Sequence, residues 1–151
     1  MTLLATGETI VIVVAIVMVV FVVFAFLIAD MRPRHFRREV QSRPDRSLRW
    51  RSEYPSDMPA VDRMLAIFCD AFMFDEHHKY KFVPEDDVTI MYENTTGPLG
   101  DEFQYEELVM GIEEAFGIDL TECNWDENFT LGNIVRTVLE SKERDRRGDG
   151  T

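Results

Sequence analysis

The hydrophobic pattern of the chain changes at about residue 30. From Ile10 to Ala29 every residue is apolar, with no Gly, Pro or polar side chain. A helix rises about 1.5 Å per residue, so a run of this length matches a hydrocarbon core of about 30 Å. Glu8 and the absence of basic residues before the run argue against a cleaved signal peptide, which needs a basic start. The pattern therefore predicts a transmembrane helix over Ile10–Ala29, preceded by a short segment over residues 1–9.

Charge on either side of this run predicts its orientation. No basic residue precedes it, whereas the C-terminal side is crowded with arginines, namely Arg32, Arg34, Arg37 and Arg38. Positive charge is retained on the cytoplasmic side of a membrane. We therefore expect a single-pass membrane protein with its N-terminus outside and its C-terminal domain in the cytoplasm.

Residues 30–56 form a predicted basic juxtamembrane linker. Residues 31–52 hold eight arginines against Glu39 and Asp45, and three prolines argue against one long helix over the linker. Aromatic and aliphatic side chains are interspersed among the arginines. This composition suits contact with anionic lipid by residues 31–52, where each nearby Arg contributes about 1 kcal/mol, but it equally suits a plain tether. The segment could also fold against the acidic domain of its own chain.

Beyond residue 56, apolar residues recur at spacings of three and four, which is typical of amphipathic helices. Three helices are predicted, over Met58–Phe74, within Asp101–Leu120 and over Thr130–Ser141. The apolar face of the central helix comprises Tyr105, Leu108, Val109, Ile112 and Phe116. The predicted fold class is therefore all-α.

Cap residues mark the ends of these helices. Asp57, Asp101 and Thr130 are placed to cap the three N-termini, and Gly117 stands where a left-handed C-cap residue is needed. Residues 83–94 are ambiguous, because Pro84 and the acidic residues after it are typical of a helix start, whereas residues 88–92 have strand-like composition.

Charge is distributed unevenly along the chain. The formal net charge is -12, and residues 53–151 hold twenty-four acidic residues against eight basic ones. A domain of that balance repels nucleic acid, and its field favours a basic protein partner.

No pattern in the sequence indicates catalysis, a cofactor or a metal. The chain lacks a Gly-rich phosphate loop, a Gly-x-Ser-x-Gly motif and a His-x-x-x-His pair. Adjacent His77 and His78 cannot easily converge on one ion. Cys69 and Cys123 are far apart in sequence, which favours two free thiols in a reducing compartment over a bridge. We therefore expect no enzymatic activity, no cofactor and no metal site.

The central run, "GDEFQYEELVMGIEEAFGIDL", resembles the second helix of acyl carrier proteins. In that family an Asp-Ser-Leu triplet opens a helix that continues in a similar run and ends in acidic residues, Phe and a short apolar turn. The resemblance extends to the predicted first and last helices and covers roughly the C-terminal two thirds of the chain. It implies a small bundle of three or four helices over residues 57–142, followed by a charged tail over residues 143–151. By the same resemblance, residues 75–100 form a long loop that covers the core, with Val88, Ile90 or Met91 turned inward.

The sequence departs from that family at one decisive position. The family carries phosphopantetheine on the Ser of its triplet, where this chain has Glu102, and no Ser lies between Ser56 and Ser141. A carboxylate near a helix N-terminus is favourable by about 0.3–1 kcal/mol. Glu102 therefore has two interpretations, a permanent mimic of the modified carrier's acidic surface or an ordinary first-turn Glu.

These observations predict a membrane-anchored, non-enzymatic, acyl-carrier-like interaction module without the phosphopantetheine arm, similar to acyl-carrier-like bacterial proteins of uncharacterised function. Its predicted partner-binding residues form an acidic face, namely Glu102, Glu106, Glu107, Glu113 and Glu114. Two alternatives remain open. One is a scaffold or decoy for acyl-transfer or lipid-synthesis enzymes, and the other is an acidic inhibitor of the immunity type.

Overall fold

The computed structural model describes residues 7–96, 103–120 and 129–147, with side chains throughout except at 7–9, 26–32 and 145–147. These ranges hold six α-helices and one 3-10 helix. The α-helices are α1 (Gly7–Ser42), α2 (Ser47–Glu53), α3 (Met58–Ala71), α4 (Val88–Thr95), α5 (Phe103–Phe116) and α6 (Leu131–Arg147), and the 3-10 helix is Glu76–Lys81. The described chain is all-helical, as the sequence predicted.

The predicted membrane span over Ile10–Ala29 is wrong. The helix on this run does not end near Ala29 but continues through Pro33 to Ser42, into the arginine-rich segment. Among the residues that the structure describes, no helix combines the length and the apolar character needed to cross a membrane. The predicted topology, with the N-terminus outside and the C-terminal domain cytoplasmic, is wrong for the same reason.

The N-terminal half of α1 leaves an extended apolar surface exposed. Its large side chains from Ile10 to Phe24 are between 47% and 68% exposed. Apolar surface of this extent is normally covered by another molecule.

The C-terminal half of α1 and all of α2 belong to the packed domain. Val40 and Trp50 are fully buried, and Tyr54 is 9% exposed. The Trp50 indole N–H donates a hydrogen bond to the Phe82 carbonyl at 2.9 Å. The packed unit therefore begins well before residue 57, where the sequence placed the start of the domain.

Helix α3 lies at the centre of the core. Phe68 on α3 packs against Phe72, Phe74 and Phe82, with ring centroids 4.7 to 6.4 Å apart. Rings in this range attract one another beyond their buried area, by about 0.5–1.5 kcal/mol a pair. The apolar residues that the sequence predicts to share one face of this helix therefore form its buried face.

The predicted loop over residues 75–100 contains two helices. Asp87 begins α4, because its carboxylate accepts hydrogen bonds from the backbone N–H groups of Thr89 and Ile90 at 2.8 and 3.1 Å. Val88 and Met91 are buried as expected, whereas Ile90 is 56% exposed. Residues 88–92 therefore form a helix despite their strand-like composition, because Asp87 caps the helix and Val88 and Met91 are buried.

Asp86 joins three parts of the domain. Its carboxylate accepts hydrogen bonds from the Val83 N–H at 2.8 Å and from the Arg43 guanidinium at 3.1 Å. Its backbone carbonyl accepts one from the N–H of Leu131, the first residue of α6. Burial raises the pKa of Asp86, although the Val83 N–H and the Arg43 charge both oppose that shift.

Helix α6 begins in close contact with the loop before α4. The Gly132 N–H donates to the Pro84 carbonyl at 2.8 Å, and a Cβ at Gly132 would lie 2.9 Å from the Pro84 Cβ. The Tyr54 hydroxyl donates to the Gly132 carbonyl at 3.0 Å. Thr130 caps α6 as predicted, because its hydroxyl accepts from the Asn133 N–H at 3.3 Å.

Candidate interaction surface on helix α5

Helix α5 is fixed to the core by one face. Leu108 and Ile112 are buried. Gly111 allows α3 to approach closely, since a Cβ there would lie 2.8 Å from the Ile67 Cγ2. The Tyr105 ring contacts Phe72, on the last turn of α3, with centroids 6.4 Å apart. These contacts hold α5 against α3 and leave its opposite face outward.

The outward face carries apolar and acidic side chains in alternation. Phe103 and Met110 are 59% and 66% exposed, and Glu107 and Glu114 are exposed beside them. At 3.6 residues per turn these four positions fall within about 60° of one another around the helix. We refer to Phe103, Glu107, Met110 and Glu114 as the α5 stripe.

The other predicted acidic residues divide into different roles. Glu106 is exposed and flanks the α5 stripe. Glu113 is half-buried, and its Oε1 accepts a hydrogen bond from the Leu120 N–H at 2.8 Å. Glu113 thus holds the turn after α5, where Gly117 adopts the predicted left-handed conformation with φ of 67°. Glu102 lies outside the described residues.

The arginines predicted to lie near a membrane include one, Arg37, that contacts the packed domain. The Arg37 guanidinium donates to the Met73 carbonyl at 2.8 Å and lies 5.7 Å from the centroid of the Phe74 ring. Arg34 and Arg38 are exposed on α1, and the Arg32 side chain lies outside the described part of the helix. Arg37 is therefore part of the junction between α1 and the domain.

Further along the same segment, two more arginines contact the domain through acidic residues. Arg43 pairs with Asp86 at 3.1 Å, and Arg49 pairs with Glu85. Of the interpretations left open for residues 31–52, folding against the acidic domain is the one for which the structure gives contacts. Contact of this segment with anionic lipid stays a prediction.

One potential nucleophile, the Cys69 thiol, is 1% exposed. Burial raises the pKa of the Cys69 thiol to about 12, and that of Tyr80, whose hydroxyl donates to Asp62, to about 12. A thiol with such a pKa stays protonated and is a poor nucleophile at neutral pH. Across the described residues no group of His, Cys, Asp and Glu side chains is arranged to hold a metal ion.

An open groove of about 330 Å³ lies between the start of α3 and α6. Its lining mixes acidic, basic and apolar side chains, among them Asp57, Arg136, Leu139 and Lys142. None of the residues that line the groove belongs to the α5 stripe.

Comparison with known proteins gives no match: no protein-family model, no curated protein and no solved structure is similar to this chain at a significant level. Functional inference therefore depends on the geometry of the chain itself.

Sequence reasoning found the acidic half of the α5 stripe and missed its apolar half. Neither Phe103 nor Met110 is among the residues that the sequence predicts to bind a partner. The signal was present, because Phe103 and Met110 are separated by seven residues and so share a face opposite to that of Leu108 and Ile112. Two large apolar residues outside the buried stripe indicate a contact surface.

Proposed function

We propose that this chain is a non-enzymatic interaction module that docks a basic partner protein on the α5 stripe. The proposal depends on one observation. Phe103 and Met110 are 59% and 66% exposed, and they alternate along α5 with the exposed carboxylates of Glu107 and Glu114. Interface hot spots are typically large side chains in a dry centre surrounded by polar groups. A partner with an apolar depression edged by Lys or Arg would complement this arrangement.

The two kinds of side chain would contribute differently to such a complex. Fully burying a side chain such as Phe or Met is worth about 1.5–3 kcal/mol, so the two anchors supply the larger share of affinity. The carboxylates supply orientation and a faster encounter, because charge at the rim of an interface acts mainly on the association rate. The wider domain is acidic, with twenty-four acidic against eight basic residues in 53–151, and so attracts basic surfaces.

Enzymes that recognise acyl carriers are one class of partner that fits this surface. By the resemblance to acyl carrier proteins, α3, α5 and α6 would correspond to the first, second and last helices of that family, and α5 to the helix that opens with the carrier Ser. With Glu102 at the Ser position, the chain would serve acyl-transfer or lipid-synthesis enzymes as a scaffold or decoy. An acidic inhibitor of the immunity type would instead use the same surface for one dedicated basic partner.

Charge reversal on the full chain tests the proposal. Glu107→Lys with Glu114→Lys reverses the charged half of the α5 stripe. Glu93→Lys with Glu140→Lys makes the same change in net charge at exposed positions on α4 and α6. Partners captured by each tagged protein are compared by quantitative mass spectrometry, after circular dichroism has verified that both variants are folded.

We expect the α5 variant to lose its partner at least tenfold and the control variant to keep it. Acyl-transfer or lipid-synthesis enzymes among the lost proteins would favour the scaffold or decoy, and one basic protein would favour the inhibitor. Equal capture by both variants would contradict the proposal, because the contact would then lie elsewhere.

A further inference from the structure

A surface complementary to the α5 stripe is present on the chain itself. Leu48 on α2 is 77% exposed, more than any other large apolar side chain that the structure describes. Leu48 lies on an anchored part of the chain, because Trp50 two residues later is fully buried and donates its indole N–H to the Phe82 carbonyl. A contact at this position therefore requires little ordering of the backbone.

One guanidinium group lies on the same face of α2 as Leu48. Arg51 follows Leu48 by three residues, about one helical turn, and is exposed. The Arg46 backbone N–H donates to the Tyr80 carbonyl at 2.7 Å, which ties this end of α2 to the domain. Arg49 points elsewhere, since it pairs with Glu85. We refer to Leu48 and Arg51 as the α2 patch.

We propose that the α2 patch of one copy docks on the α5 stripe of a second copy. This inference rests on the function proposed above and names one occupant for the same surface. The α2 patch offers one apolar side chain beside one guanidinium group, and the α5 stripe offers two apolar side chains alternating with two carboxylates. Arg and carboxylate groups form the strongest charge-assisted pairs available to side chains.

The contact would be head-to-tail. Because the α2 patch and the α5 stripe are different surfaces, a pair of copies leaves one of each unoccupied, and further copies can add. Such association forms open chains unless the rotation between copies closes a ring. The surfaces are small, so each contact would be weak and reversible.

The overall charge of -12 does not forbid this association. The Debye length is about 8 Å at physiological ionic strength, so charges remote from the contact are largely screened. Charges at the contact itself are of opposite sign, which is the condition that decides encounter and orientation.

Disulfide cross-linking between full chains tests the contact. One chain carries Leu48→Cys and another Met110→Cys, both in a Cys123→Ser background, while Cys69 is only 1% exposed. A chain with Ile90→Cys is the matched control, since Ile90 is 56% exposed on α4, away from the α5 stripe. A non-ionic detergent shields the exposed apolar side chains of α1 from one another. We expect position 48 to cross-link to 110 at least ten times faster than to 90.

Charge exchange adds a second readout. Adding Arg51→Glu to the first chain or Glu107→Arg to the second should each slow cross-linking between 48 and 110 at least tenfold. Combining the two should restore most of the rate, because the opposite charges then face each other in exchanged positions. Equal rates to 110 and 90, or no recovery in the combined pair, would overturn self-association.

The two experiments distinguish a failure of self-association from a failure of the proposed function. If cross-linking does not prefer position 110 while the α5 charge reversal still removes a captured partner, the α5 stripe docks another protein. If neither experiment responds to the α5 stripe, both proposals are wrong.

Discussion

Cys69 shows how the core controls the chemistry of one side chain. Its thiol is 1% exposed, and burial raises its pKa from 9.0 to about 12. The thiolate that reacts with alkylating reagents is therefore scarce at neutral pH, and access to the sulfur is blocked as well.

The raised pKa of Cys69 predicts a loss of stability at alkaline pH. Between about 9 and 12 the unfolded chain releases the thiol proton while the folded chain keeps it, so the free energy of unfolding falls as pH rises. From pH 8 to pH 11 we expect Cys69 to account for about 2–3 kcal/mol of that fall. Urea unfolding at the two pH values measures it.

The Cys69→Ala variant is the control for this effect. It should show a smaller fall over the same interval, although Tyr80, whose pKa is also raised to about 12, keeps its own contribution. A fall of the same size in the variant would mean that Cys69 ionises as freely in the folded chain as in the unfolded one.

By the resemblance to acyl carrier proteins, the residue at position 102 would decide whether the chain can carry an acyl group. A phosphopantetheinyl transferase with coenzyme A should leave the intact mass unchanged, because Glu102 has no hydroxyl and no Ser lies between Ser56 and Ser141. Intact mass spectrometry measures this, with a true acyl carrier protein as the positive control. A gain of the arm's mass would contradict the assignment.

At the scale of elements, α2 decides where the domain begins. Trp50 is fully buried and hydrogen-bonded, whereas Leu48 on the same helix is 77% exposed. Trp50→Ala should lower the free energy of unfolding by about 3–5 kcal/mol, because it leaves a cavity and an unpaired Phe82 carbonyl. Leu48→Ala should stay within about 0.5 kcal/mol of the original chain. Equal, small effects in urea unfolding would mean that α2 is not part of the domain.

The packing of α5 on α3 depends on Gly111. Alanine there gains about 1 kcal/mol of helix propensity but loses about 1–3 kcal/mol to overpacking, since its Cβ would lie 2.8 Å from the Ile67 Cγ2. We expect Gly111→Ala to destabilise the original chain but not a chain that already carries Ile67→Ala. Thermal unfolding of the four proteins measures this coupling, and additive effects would contradict the close approach.

How much of these elements the sequence could predict follows from how each one is specified. The helices α3, α5 and α6 have continuous apolar stripes, so local spacing sufficed for them. Of their predicted caps, Thr130 bonds the start of α6, Asp57 makes no side-chain cap hydrogen bond, and Asp101 lies outside the described residues. By contrast, Val40 and Trp50 are single buried apolar residues among arginines, and the Trp50 indole bonds to the Phe82 carbonyl, a distant contact that no local pattern records. Helix α4 depends on the Asp87 cap, whereas the composition of residues 88–92 is strand-like. The predicted span is wrong because no helix among the described residues combines the length and the apolar character needed to cross a membrane.

Similar reasons apply to the candidate surface. Acidic residues on α5 were visible in the sequence, but their roles were not, because the hydrogen bond from the Leu120 N–H to Glu113 depends on the turn that follows the helix. The apolar members of the α5 stripe became recognisable only when the buried face of α5 was known. Exposure, rather than composition, distinguishes Phe103 and Met110 from core residues.

At the scale of the whole molecule, the basic segment over residues 31–52 contacts the acidic domain that follows it. Arg43 and Arg49 pair with Asp86 and Glu85, and Arg37 contacts the end of α3. The segment over residues 33–53 therefore joins the exposed apolar half of α1 to the domain that presents the α5 stripe. In the proposed function, α5 provides the contact surface and the rest of the domain holds α5 in place.

The most direct test of that account is site-specific photo-cross-linking from the α5 stripe. A photoreactive residue replaces Met110 in the full chain, and a matched chain carries it at Ile90, which is similarly exposed on α4. The account predicts a discrete cross-linked product from position 110, lost when Glu107 and Glu114 are changed to Lys, and none from position 90. The same product from both positions, or a product from 110 that survives the charge reversal, would contradict a docking surface on α5.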